Sequence, residues 1–188
     1  KSPDAFEIPP ATWLNQVVPS PDGTQSALAI QSGLCSGSRK CFGVSQIVIL
    51  DVITGQQSIL WTLPFVADSE FFPYCYTGFN YTLSRVGTRI NQIQWTPDES
   101  AIVAMISYEF RSEDYPLVVI PIETPQNAFL AGNGQHGWTI SPDSRNVAFI
   151  SRDCDPPSWE TRILGITSFD LDTNQYSYQE YSQTPEIM

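Results

Sequence analysis

Apolar residues along this chain fall in short runs, and polar clusters rich in Pro, Asp and Gly separate them. One phrase recurs three times: VVPSPDGTQSALAIQS over 17–32, IQWTPDESAIVAMIS over 93–107 and WTISPDSRNVAFIS over 138–151. Each copy reads as a strand, a tight Pro-Asp turn and a second apolar strand. SQIVILDV, residues 45–52, is the strongest strand signal, rich in β-branched residues and bounded by polar turns.

Around each phrase the pattern predicts a four-strand unit. Strands are expected over 12–18, 27–32, 45–52 and 58–65 in the first unit. They are expected near 90–96, 101–109, 116–122 and 126–131 in the second, and near 136–141, 146–151, 162–170 and 175–182 in the third. A Thr marks the third hairpin turn of each unit, at Thr54, Thr124 and Thr173. The first copy departs from its siblings: Pro19 stands where the second has Trp95, and its following strand reads as shifted by about two residues.

The resulting organisation is an extended Pro-rich arm over 1–11, a first unit over 12–65 with a cysteine loop at 33–44, an aromatic-rich insertion over 66–89, a second unit over 90–132, a third over 133–184, and a tail over 185–188. The insertion accounts for the uneven spacing of the turns, since Asp22 and Asp98 are 76 residues apart but Asp98 and Asp143 only 45.

The turn chemistry explains the recurrence of Pro21-Asp22, Pro97-Asp98 and Pro142-Asp143. Pro fixes φ for the first corner of a type I turn and ends the preceding strand. Asp accepts hydrogen bonds from backbone N–H groups one or two residues on. Gly23 takes positive φ without strain. As potential catalytic carboxylates these aspartates compete with a structural role, and one Asp per repeat at a strand turn is what a scaffold needs.

Composition narrows the class. Of 188 residues, 41% are apolar, with ten Phe, eight Tyr and five Trp, so the chain can bury a sizeable core. Fifteen Pro and eleven Gly favour many short elements and an all-β class. The net charge is −11 and the lysines are Lys1 and Lys40 alone, a surface that repels phosphate backbones and argues against nucleic-acid binding. No apolar run is long enough to span a bilayer.

Compartment is read from cysteines and a sequon. Cys35 and Cys41 bracket the short polar loop CSGSRKC, which a local disulfide would close, leaving Cys75 and Cys154 to pair across a long separation. Four cysteines allow three connectivities, and four free thiols in a cytosolic protein is the competing expectation. One His and no C-x-x-C argue against zinc. Asn80-Tyr81-Thr82 is a glycosylation sequon, which agrees with an extracytoplasmic setting: secreted, periplasmic or cell-surface. The chain opens on Lys1, as does a mature form cut after a targeting segment or a piece of a longer polypeptide.

SPDG, TPDE and SPDS, each followed by an apolar strand and then a D-x-x-T-G type turn, resemble TolB-like, WD-type β-propeller repeats. They are also similar to the propeller domains of the prolyl oligopeptidase and dipeptidyl peptidase families. The resemblance covers 12–184 apart from the insertion. It implies three four-stranded antiparallel blades of a propeller that is incomplete within this chain, because closed propellers have four to eight. The missing blades are then expected from the same parent chain, from a homodimer or from another subunit.

Candidate chemistry is sparse. The insertion gathers Phe71, Phe72, Tyr74, Tyr76, Phe79 and Tyr81, a density suited to a protein- or sugar-binding platform, or simply to packing the loop against the blades around Cys75. His136 is the single His, between Gly134 and Gly137, and reads as the start of a strand. No G-x-S-x-G nucleophile elbow is present. FDLDTNQ, 169–175, has a calcium-loop flavour through Asp170, Asp172 and Asn174 but carries Tyr181 where a bidentate Glu belongs, and it aligns with the hairpin turn DVITGQQ, 51–57. The expectation is a non-catalytic interaction or assembly module without cofactor or metal. The alternatives are the propeller portion of a larger hydrolase, and a carbohydrate-binding module using the insertion.

Overall fold

The computed structural model describes residues 12–36, 40–63, 88–108, 115–134, 137–152 and 162–182. Among the described residues, twelve strands form three antiparallel sheets of four, and within each sheet every strand is bonded to the next in sequence. The first sheet holds β1 (Thr12–Pro19), β2 (Gln25–Ser36), β3 (Lys40–Asp51) and β4 (Gln57–Thr62). The second holds β5 (Thr88–Trp95), β6 (Ala101–Tyr108), β7 (Pro116–Pro121) and β8 (Phe129–Asn133). The third holds β9 (Trp138–Ile140), β10 (Asn146–Arg152), β11 (Arg162–Asp170) and β12 (Gln175–Ser182). Four-strand meanders of this size, stacked face to face, are propeller blades.

Two apolar layers hold the blades together. Ala27, Ala29, Ile47 and Trp61 of the first blade pack on Ile93, Trp95, Ile102, Ala104 and Ile120 of the second. The opposite face of the second blade, with Val103, Met105, Leu117, Val119 and Phe129, packs on Ile140, Val147, Phe149 and Phe169 of the third. The second blade is therefore apolar on both faces, which is why AIVAMIS and PLVVIP read as continuous apolar runs and not as alternating ones.

The structure corrects three readings. Within the stretch 33–44, residues 33–36 and 40–44 are strand and not loop: β2 and β3 stay paired there, with Gly33 opposite Gly43, Leu34 opposite Phe42 and Cys35 opposite Cys41. Its polar residues suggested a loop, but it contains no Pro to interrupt the ladder. The strand after the first turn is not shifted. Gln25, Ala101 and Asn146 each follow the turn Asp by three residues and each returns a carbonyl bond to the residue before the turn, at 2.9 Å in all three blades. The polar pair Gln25-Ser26 merely hid the start of β2. Finally, the β7–β8 connection contains a 3-10 turn, Pro125–Asn127, so β8 starts at Phe129 and not near 126; Pro125 stands at the start of that turn.

Candidate functional site

The three Pro-Asp corners have one construction. Gly23, Glu99 and Ser144 each donate their N–H to the carbonyl three residues back, closing a turn with Pro at its second position. The Asp carboxylate then accepts the backbone N–H two residues on: Thr24 to Asp22 at 2.9 Å, Ser100 to Asp98 at 3.0 Å and Arg145 to Asp143 at 3.1 Å. The hydroxyl before each Pro completes the corner. Ser20, Thr96 and Ser141 each accept the N–H of the first residue of the returning strand, at 3.1, 2.9 and 2.9 Å. The repeated sequence is thus Ser/Thr-Pro-Asp for three distinct hydrogen-bonding reasons.

These bonds favour the ionised carboxylates. Asp22 lies below the usual carboxylate value because Ser20 and then Thr24 donate to it, and Asp143 because Ser141 and Arg145 do. For Asp98 partial burial pushes upward, yet donation from Ser100, Thr96 and Ser144 together outweighs it and the net shift is down. The D-x-x-T turns repeat the device. Asp51 accepts from the N–H groups of Ile53 and Thr54, which lowers it, chiefly through Thr54. Asp170 accepts from those of Asp172 and Thr173, so FDLDTNQ forms the β11–β12 hairpin turn. All five carboxylates are engaged by their own backbone.

Neighbouring blades are clasped through the residue after each turn Asp. This position has positive φ in all three blades: 75° at Gly23, 63° at Glu99 and 62° at Ser144. In that conformation the side chain turns back toward the preceding blade. Glu99 Oε1 accepts the N–H of Asp22 at 2.7 Å, and Ser144 Oγ accepts the N–H of Asp98 at 3.0 Å. The first strands add a second clasp. Asn15, the extra residue of a bulge in β1, donates to the Ile90 carbonyl at 3.0 Å, and Gln16 Oε1 accepts from the Ile93 N–H at 2.6 Å. Trp95 Nε1 donates to the Val18 carbonyl at 3.1 Å.

Asn15 and Gln16 were missed by the sequence reading. A signal existed: Leu14-Asn15-Gln16 and Ile90-Asn91-Gln92 stand at the same distance before their turn aspartates, and β5 bulges at the same place. The first strands also share an open groove of about 470 Å³, where Gln16, Gln92 and Gln94 meet Val18, Ile93 and Trp138. It is the inner edge of the three blades, polar and uncharged.

Among the described residues, two sheet faces have no blade against them. On the first blade, residues directly opposite one another form the rows Val17–Leu28–Val48–Ile59 and Leu14–Ile30–Gln46–Thr62. Val17 is 49% and Ile59 61% exposed at the outer ends, while Leu28, Ile30 and Val48 form their own small cluster. On the third blade the rows are Ile150–Leu164–Tyr181 and Thr139–Ala148–Ile166–Gln179. Leu164 is 42% and Tyr181 49% exposed. None of these fifteen residues is charged.

Several expected site residues lie outside the described residues: Phe71, Phe72, Tyr74, Tyr76, Phe79 and Tyr81 of the insertion, the sequon Asn80, and Cys75, Cys154 and His136. Cys35 and Cys41 are described through their backbone pairing alone. Among the described residues no group of three or more His, Cys, Asp or Glu side chains is arranged to hold a metal ion.

No protein-family profile matches the chain, and no curated protein sequence does. Solved structures do resemble it. The β-propeller domain of the Trilobed protease from Pyrococcus furiosus, described as having an open velcro topology, matches over 93% of this chain at a TM-score of 0.52 and 12% identity. TolB from Acinetobacter baumannii matches over 90% at 0.45 and 16%, and prolyl oligopeptidase B from Galerina marginata over 94% at 0.48 and 12%. The chain spans 44%, 32% and 23% of those three chains respectively. At such identities the likeness speaks to fold alone, and of the three the protease propeller domain is the one whose TM-score exceeds 0.5. Together with the three stacked meanders, that likeness makes this chain a three-blade segment of a β-propeller.

Proposed function

We propose that this chain is a non-catalytic interaction and assembly module of an extracytoplasmic protein. The observation that carries the reading is the pair of sheet faces at the two ends of the blade stack whose central rows are uncharged and bear exposed apolar side chains. An exposed apolar sheet face invites a partner, and here both ends of the stack present one. The repeated construction of the corners supports the same reading, since each repeated Asp is engaged in holding its own turn.

A second reading, the propeller portion of a larger hydrolase, draws on the protease propeller domain that shares the fold. The encoding open reading frame separates the two. A downstream α/β-hydrolase segment with a Gly-x-Ser-x-Gly elbow replaces the assembly reading with the hydrolase one. The extracytoplasmic setting is tested by peptide mapping of the protein purified without reductant, where four free thiols contradict it.

A further inference from the structure

The two free faces are not merely apolar; they are the two complementary halves of the contact that the chain already makes twice. Counting from the turn Asp, Leu28 of the first blade corresponds to Ala104 of the second and Phe149 of the third. Ala104 packs against the first blade and Phe149 against the second. The Leu28 face is therefore the one that each blade turns toward its predecessor. Likewise Ala148 and Ile150 correspond to Ala27 and Ala29, which face the second blade, and to Val103 and Met105, which face the third. The Ile150–Leu164–Tyr181 face is the one that each blade turns toward its successor.

We infer that a second copy of this chain fills both faces: the third blade of each copy stacks on the first blade of the other, closing a two-fold ring of six blades. This deepens the assembly reading, on which it rests, by naming the partner. Three features favour a second copy. The required junction is of the same kind as the two internal junctions, so no new surface is needed. A head-to-tail contact made twice closes when rotation brings the chain back on itself, and six blades fall within the four to eight that closed propellers have. The central rows of both faces are also uncharged, so stacking those rows buries no unpaired ion despite the net charge of −11 on each copy; the next row in register on the third-blade face pairs Arg152 with Arg162, at the end of the strands. The new junctions are expected to be weaker than the internal ones. Gly23 occupies the position from which Glu99 and Ser144 reach back to the preceding blade, and it has no side chain with which to do so.

The test is sedimentation velocity and equilibrium on the 188-residue chain at micromolar concentration, with variants on the two exposed faces. The wild type is expected at twice the 21.0 kDa chain mass. Ile59→Arg and Leu164→Glu alter exposed side chains on opposite faces, so each is expected to keep its circular dichroism spectrum and to sediment as a monomer. In a head-to-tail ring, every junction of either variant carries one lesion. Mixing the two variants creates a pair with one unaltered junction and one junction between opposite charges, and the dimer is expected to return. A wild type that stays monomeric overturns the pairing while leaving the assembly reading to another partner. A dimer that only one of the substitutions dissociates, or that mixing does not restore, overturns it as well.

Discussion

Asp22 and Glu99 lie 77 positions apart, yet the backbone N–H of Asp22 donates to Oε1 of Glu99 at 2.7 Å. The bond ties the corner of one blade to the corner of the next. It depends on a backbone conformation that most residues avoid, φ of 63° at Glu99. The same pairing, Asp98 N–H to Ser144 Oγ, recurs between the second and third blades. The corner that terminates a strand within a blade is thus also the point at which blades are registered to one another.

The buried member of this pair separates strain from bonding. Ser144 is 3% exposed with φ of 62°. Ser144→Ala removes the acceptor from the Asp98 N–H and keeps a side chain in the left-handed region; Ser144→Gly removes the acceptor but relaxes the backbone. Losing the bond costs about 1 kcal/mol, and a Cβ at positive φ costs about 1 kcal/mol relative to Gly. Urea denaturation is expected to place Ser144→Gly close to wild type, because the two effects offset, and Ser144→Ala about 1 kcal/mol below both. Equal stability of Ser144→Ala and wild type would mean that the clasp contributes nothing.

A second test concerns the core between the second and third blades. The Phe149 ring lies between two glycines from different sheets: a Cβ on Gly132 of β8 would fall 2.0 Å from its ζ carbon, and one on Gly165 of β11 would fall 2.3 Å away. Phe149 also stacks on Tyr178 with ring centroids 5.9 Å apart. The ring has no room to retreat. Gly165→Ala is expected to destabilise by roughly 1 to 3 kcal/mol, the usual range for overpacking a core. Adding Phe149→Leu is expected to recover part of that loss, giving a favourable coupling in a double-mutant cycle. Additive losses in the denaturation midpoints would show that the two side chains do not compete for the same space.

What was legible in the sequence is what each blade does by itself. Ser20-Pro21-Asp22 and its two siblings specify a corner through local bonds, and Asp170-x-x-Thr173 specifies a hairpin turn in the same local way, so both could be read from adjacent letters. What blades do to one another was not. The clasp position is Gly23, Glu99 and Ser144, three side chains with nothing in common except the conformation that the turn imposes. Asn15 and Gln16 repeat as Asn91 and Gln92, but their partners are backbone groups of the next blade, which have no letter. Apolar content likewise located the core without saying which face of the first and third sheets remains uncovered. That assignment came from the register of opposed residues.

The hairpin β2–β3 makes the compartment testable. Its register sets Cys35 directly opposite Cys41. Opposed residues of an antiparallel pair have Cα atoms about 4.5 to 5.5 Å apart, within the span that a disulfide bridges. Peptide mapping of protein prepared with alkylating agent and without reductant is expected to recover one linked peptide containing both residues. Alkylation of Cys35 and Cys41 in such a preparation would contradict the oxidising compartment and the hairpin staple together.

Acid should loosen the blade corners before anything else. Asp22, Asp51, Asp98 and Asp143 all sit below the ordinary carboxylate value of 3.8 in the folded chain, held there by donors from their own turns. A group depressed in the folded state stabilises it fully above the unfolded value, and that contribution disappears as pH falls through the folded one. Stability is therefore expected to be level from pH 7 down to about pH 5 and to fall steeply as pH passes below 3.8, with the unfolded chain taking up the additional protons. Asp143→Asn keeps an oxygen acceptor for the Arg145 N–H but cannot titrate. Its unfolding in acid is expected to take up fewer protons than that of the wild type, by less than one, seen as a shallower slope of stability against pH below 3.8. An unchanged slope would show that this corner does not couple protonation to folding.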